Sequence, residues 1–143
     1  RYEIRPGAKR FELWESYIAG KSGLRVAMDY ARSWNLDVSY ARIQKLADGL
    51  RTGLGDIPGV TVHDLGVEQC GIVSFALDGR DPADVTKALG EQSINTSVST
   101  ANMTRLDMDS RGIDALVRAS VHYYNSDDEI IRFLENIEAI QAH

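Results

Sequence analysis

Arg118 sits in the apolar stretch Leu116-Val117-Arg118-Ala119-Ser120-Val121, and a cation in such a run needs a reason to be there. A guanidinium can meet a carboxylate through two parallel charge-assisted hydrogen bonds, which fixes the orientation of a bound acid as well as holding it. It can equally pair with an internal acid such as Asp107 or Asp109, or lie along an edge strand with its head in water. Ser97, Ser99, Thr100 and Asn102 supply a second chemistry-bearing group, a polar and uncharged lip able to hydrogen-bond a small molecule or to form an ordinary surface loop. His63, His122 and His143 are isolated. His122 would share a face with Arg118 if the strand stays regular, but no acid, base and nucleophile set accompanies it. Cys70 is the only cysteine, which excludes an internal disulfide, and no Cys/His spacing suits a metal. A buried, inert position just before the strand Gly71–Leu77 is expected for it. Lys9, Lys21, Lys45 and Lys87 read as solvated surface residues.

The elements that must carry these groups follow from periodicity. Ile18, Leu24, Ala27, Met28, Ala31 and Trp34 recur at helical spacing, with Gly20 and Gly23 permitting close packing. Asn35 and Asp37 can cap a second helix whose apolar side holds Val38, Ala41, Ile43, Leu46, Ala47, Leu50 and Leu54, ending at Gly55. A turn at Ile57-Pro58-Gly59 leads to a short strand, 60–63. The alternation of Gly71–Leu77 gives a second strand. Asp81-Pro82 opens a helix to about Leu89. Ser93–Ser99 and Leu116–Tyr124 read as two more strands joined by a loop, and Ser126-Asp127-Asp128-Glu129 has capping-box spacing ahead of a last helix. The expected fold is α+β: a small, mainly antiparallel sheet of about four strands covered by helices on one face.

Size and charge narrow the function classes. The 143 residues, 43% hydrophobic, suit one domain with a single core. A net charge of -5 with scattered basic residues excludes a phosphate-tracking nucleic-acid surface. No apolar run approaches the roughly 20 residues that cross a bilayer, so no membrane partner is expected and the cytoplasm is the expected location. The start at Arg1 rather than Met points to a longer parent chain.

Three segments, Arg10-Phe11-Glu12, Cys70-Gly71-Ile72-Val73-Ser74-Phe75, and Val117-Arg118-Ala119-Ser120 through Tyr124-Asn125, taken with their order and spacing, resemble the C-terminal small domain of class V aminotransferase and cysteine desulfurase-like enzymes of fold-type I. The resemblance covers nearly the whole chain. It implies pyridoxal 5'-phosphate as the parent enzyme's cofactor, an amino-acid substrate, a homodimer, and Arg118 as the substrate-carboxylate clamp. It implies residues 1–15 as a crossover from a large domain and 16–143 as the small domain. The cofactor lysine would lie in that missing large domain, so no catalytic residue is expected here and stable cofactor binding to this chain alone is not expected.

Departures from the family pattern are specific. Asn102 stands where such desulfurases carry a nucleophilic cysteine, and Ser97 where they often have an arginine. Leu13-Trp14-Glu15-Ser16 replaces a Gly-Thr pair that contacts the cofactor phosphate of the neighbouring subunit, leaving Ser16 as the residue that could rebuild that contact. Trp14 is expected at a domain or subunit boundary. Transamination, C–S cleavage and epimerisation all remain open, beside a non-catalytic α+β binding or dimerisation module.

Overall fold

A computed structural model describes residues 2–13 and 15–142; Arg1, Trp14 and His143, and with them the boundary role expected of Trp14, lie outside the described residues. The chain divides into two compact units, one ending at Leu36 and one beginning at Asp37.

The first unit holds a short 3-10 turn, Ala8–Phe11, and helix α1, Ile18–Ser33. Its helical periodicity is as read, yet no residue of α1 is buried, and Leu24, Met28 and Trp34 are all more than half exposed. The two glycines do different things from those expected. A Cβ at Gly20 would strike the Tyr17 ring, so that close approach is local, while nothing lies near Gly23.

The second unit contains all but the first residue of α2 (Leu36–Asp56), then β1 (Val60–Val62), β2 (Ile72–Leu77), α3 (Pro82–Glu91), β3 (Ser97–Thr100), α4 (Arg105–Arg111), β4 (Ala115–Ser120) and α5 (Asp127–Ala142). The four strands form one antiparallel sheet in the order β1-β2-β4-β3, the α+β architecture expected. One face is packed: Val73, Phe75 and Leu77 of β2 and Val117 and Ala119 of β4 join Ala47, Leu50 and Leu54 of α2, Val85 and Leu89 of α3, and Phe133 and Ile137 of α5. The Phe75 and Phe133 rings meet edge to face at 6.0 Å between centroids. Only the later turns of the α2 stripe are core; Val38 and Ala41 are exposed.

Local chemistry sets several boundaries. Asp81 caps α3 by accepting from the Ala83 N–H, with Pro82 at the first helical position. Ser126 Oγ accepts from the Glu129 N–H at 3.1 Å while Glu129 Oε2 accepts from the Ser126 N–H at 2.9 Å, completing the capping box of α5. Gly71 lets β2 begin tightly against the exit of β4, because a Cβ there would lie 2.7 Å from the Val121 carbonyl oxygen.

Other boundaries need correction. Gly55 does not stop α2, which runs through Asp56. The strand read from Ser93 begins only at Ser97, because Ser93 takes a left-handed φ of 59° as the chain leaves α3. The connection read as a loop contains α4, which ends at Gly112 in the left-handed conformation.

A nearly buried ion pair anchors the segment between β1 and β2. Arg51 Nε lies 2.8 Å from Asp64 Oδ2, with the two side chains 10% and 11% exposed. Its Nη2 also donates to the carbonyls of Cys70 and Ile72. Removing one partner strands the other charge away from water, which typically costs about 3–5 kcal/mol. Asp64→Ala is therefore expected to lower the unfolding free energy of this chain by about that amount in urea titration, and a loss below about 1 kcal/mol, the size of an exposed pair, would contradict the anchoring role.

Candidate substrate site on the open face of the sheet

Arg118 stands on the face of the sheet opposite the helix-packed core. Its strand neighbours Val117 and Ala119 are buried while Arg118 and Ser120 are exposed, as the pleat requires. The register sets Arg118 directly across from Ser74 on β2 and from Ser97 on β3. The row continues past β1, where the His63 N–H donates to the Ser74 carbonyl at 2.7 Å. One cation thus has a serine on each side.

The internal acids that could have claimed Arg118 are engaged elsewhere. Asp107 pairs with Arg111 at 3.0 Å and Asp109 with Arg105 at 3.7 Å. Among the described residues no hydrogen bond or ion pair holds the Arg118 guanidinium, and the residue is exposed. A planar, permanently charged fork on an open sheet face can take a carboxylate bidentately.

The other residues singled out in the sequence divide. Ser99 shares the open face, one row along, opposite Leu116. Asn102 does not join them: it sits in a 3-10 turn after β3, exposed, accepting from the Thr100 hydroxyl. Alternation along β3 places Thr100 on the helix-covered side, so this bond draws Asn102 away from Ser97 and Ser99. Ser16 is exposed in the first unit. His122 leaves the Arg118 face because β4 ends at Ser120; its ring instead lies 4.4 Å and 4.9 Å from the centroids of Tyr123 and Tyr124. Cys70 is exposed rather than buried, because it precedes the first paired residue of β2 and offers its carbonyl to Arg51. Among the described residues no cluster of His, Cys, Asp or Glu could hold a metal.

Ser74 and His63 were not singled out as site residues from the sequence. Ser74 reads there only as the polar half of an alternating strand. What reveals it is its register against Arg118, a relation between strands more than forty residues apart. A cavity of about 330 Å³ opens beside the end of β4, lined in part by Leu50, Thr96, Ser120, Ile130 and Phe133, but Arg118 does not line it.

The family model for class V aminotransferases matches residues 3–133. The chain belongs to the class V aminotransferase family. It is 32% identical to a probable cysteine desulfurase of Pseudomonas putida over 94% of its own length and 33% of that protein's. The apo cysteine desulfurase of Thermococcus onnurineus NA1 superposes with a TM-score of 0.83 at 29% identity, covering 99% of this chain and 35% of that one. The cystine C–S lyase C-DES, solved with its product cysteine persulfide, gives a TM-score of 0.68 at 25% identity over 94% of this chain and 32% of that one. This chain therefore spans about a third of the length of these relatives.

The family depends on pyridoxal phosphate. Attachment of that group needs a lysine amine in a sheltered pocket. Lys9, Lys21, Lys45 and Lys87 are all exposed, on the 3-10 turn, α1, α2 and α3 respectively, so the residues of this chain do not fit that task.

His63 gives the sheet face a measurable pH signature. Burial, then the neighbouring Arg111, hold its imidazole below the usual 6.5, against the opposing pull of Asp64. The unfolded chain therefore takes up this proton more readily than the folded one, and the His63 contribution to stability is full above 6.5 and declines as pH falls through and below it. His63→Gln is expected to flatten the pH dependence of urea midpoints between about pH 7 and 5, and an unchanged slope would rule out the linkage.

Proposed function

We propose that this chain is the substrate-binding C-terminal small domain of a pyridoxal-phosphate enzyme acting on an amino acid, by transamination, C–S bond cleavage or epimerisation. The observation that carries the reading is Arg118, a cation without a partner among the described residues, centred on the open sheet face of a class V aminotransferase fold. Cysteine desulfurases and a C–S lyase among the relatives favour sulfur-bearing amino acids, although Asn102 stands where the resemblance places a nucleophilic thiol.

In this proposal residues 1–15 cross over from a large domain that carries the cofactor lysine, and 16–143 form the small domain. The exposed apolar residues of α1 support a further protein surface above them, that of the large domain or of a second subunit in a homodimer. Among the described residues no helix is long and apolar enough to cross a membrane, and we place the enzyme in the cytoplasm.

Once bound, pyridoxal phosphate acts as an electron sink for a bond at the amino-acid α-carbon. Arg118 grips the α-carboxylate, and because two parallel hydrogen bonds fix a plane, it decides which α-carbon bond is presented. Ser97 and Ser99 border the same face and contribute neutral hydrogen bonds. Ser16 is the candidate for a phosphate contact in the neighbouring subunit. Asn102, turned toward Thr100, lies at the margin of the substrate site.

Arg118→Ala in the full-length enzyme is expected to weaken amino-acid binding by about 2–5 kcal/mol; unchanged affinity would refute the clamp. The present chain mixed with pyridoxal phosphate is expected to show no reducible absorption band at stoichiometric occupancy, and such a band would place the cofactor lysine here after all.

A further inference from the structure

We propose that Ser74 is the second carboxylate ligand of this site, its hydroxyl donating to a lone pair that the bidentate Arg118 fork leaves free on one carboxylate oxygen. The proposal rests on the reading of Arg118 as a carboxylate clamp and adds a residue to it.

Ser74 and Arg118 are directly cross-strand, so their Cβ atoms stand about 5 Å apart on one face. A serine so close to an arginine leaves a trough beside the longer side chain. A carboxylate seated there meets the guanidinium across its two oxygens once the flexible Arg118 stem leans over β2, and the outer lone pair of the nearer oxygen meets the Ser74 hydroxyl. The recorded hydrogen bond of Ser74 uses its backbone N–H, which donates to Asp64 Oδ1 at 2.9 Å; its hydroxyl has no partner among the described residues.

Ser97 flanks Arg118 on the other side, and two differences favour Ser74. Ser97 lies on an edge strand and is exposed, so a hydrogen bond there competes with bulk water, whereas Ser74 is half-buried on an interior strand. Ser74 is also held in place: Asp64, which binds its N–H, is itself gripped by Arg51, which reaches on to the carbonyl of Ile72. A ligand hydroxyl on an immobilised backbone loses little freedom on binding. The ligand class that fits is a monocarboxylate end, since one cation and neutral hydroxyls meet a single negative charge.

The test uses the full-length enzyme and three probes: an amino-acid substrate, the amine lacking its carboxylate, and a simple monocarboxylate as competitive inhibitor. Ser74→Ala is expected to raise the inhibition constant of the monocarboxylate and the KM of the amino acid about tenfold with kcat little changed, the loss of one hydrogen bond to a charged group. Binding of the amine should not move, and Ser97→Ala should have the smaller effect. Adding Ser74→Ala to Arg118→Ala should change nothing more, because the two act on one carboxylate. Equal effects of Ser74→Ala on amine and acid would show a merely structural role and overturn the proposal. So would wild-type constants in Ser74→Ala, or a larger loss from Ser97→Ala. Insensitivity to Arg118→Ala would instead refute the clamp reading on which both residues depend.

Discussion

The ion pair of Arg51 with Asp64 is the constraint on which the organisation of this sheet depends. Arg51 projects from α2, within the helix that packs the core, and its guanidinium collects Asp64, Asp48 and the carbonyls of Cys70 and Ile72. Those carbonyls belong to the approach and first residue of β2. Asp64 passes the constraint on to the Ser74 backbone, and the His63 N–H binds the Ser74 carbonyl. A single nearly buried cation thus joins the helix layer, the irregular segment from Asp64 to Gly71, and the strand that faces Arg118. Its burial is tolerable because its donors are matched by acceptors, the condition under which a desolvated charge is stable.

With β2 fixed, the pleat assigns tasks to the two sides of the sheet. Val73, Phe75, Val117 and Ala119 make the core with three helices, and Ile72, Ser74, Arg118 and Ser120 face away from it. The open side is not uniform. Leu116, one row from Arg118, is buried, and so is Met108 of α4, both outside the main cluster. Arg111 at the end of α4 donates to the His63 carbonyl and pairs with Asp107. The short helix therefore occupies an acid and a second arginine, and among the described residues no ion pair neutralises Arg118.

Much of this was legible because the signals were local. Asp81-Pro82 and the Ser126–Glu129 box mark helix starts through bonds that span three or four residues, and the alternation of Ile72–Leu77 states its own burial. The misreadings share a different cause. The sequence reads as loop where α4 lies because seven residues, Arg105–Arg111, carry too little periodicity to announce a helix. Cys70 was placed in the core on residue-type preference, but burial is decided by where β2 begins pairing, at Ile72. His122 shares a face with Arg118 only in a strand that stays regular, and β4 stops at Ser120, where the chain turns and the rings of Tyr123 and Tyr124 take the histidine.

By itself the sequence determined most element types, the α+β class and the family resemblance, since each of these is written in spacing along the chain, and it drew attention to Arg118. Only the tertiary structure decided what surrounds that arginine. Its neighbours are Ser74 and Ser97, 44 and 21 positions away in sequence, and they reach it through strand register. Asp107 and Asp109, two acids that could have claimed it, turn out to be paired with Arg111 and Arg105. Register between distant strands is fixed by the packing of a whole face at once, because slipping one residue would exchange the core side chains for the solvent-facing ones. No local pattern contains that information.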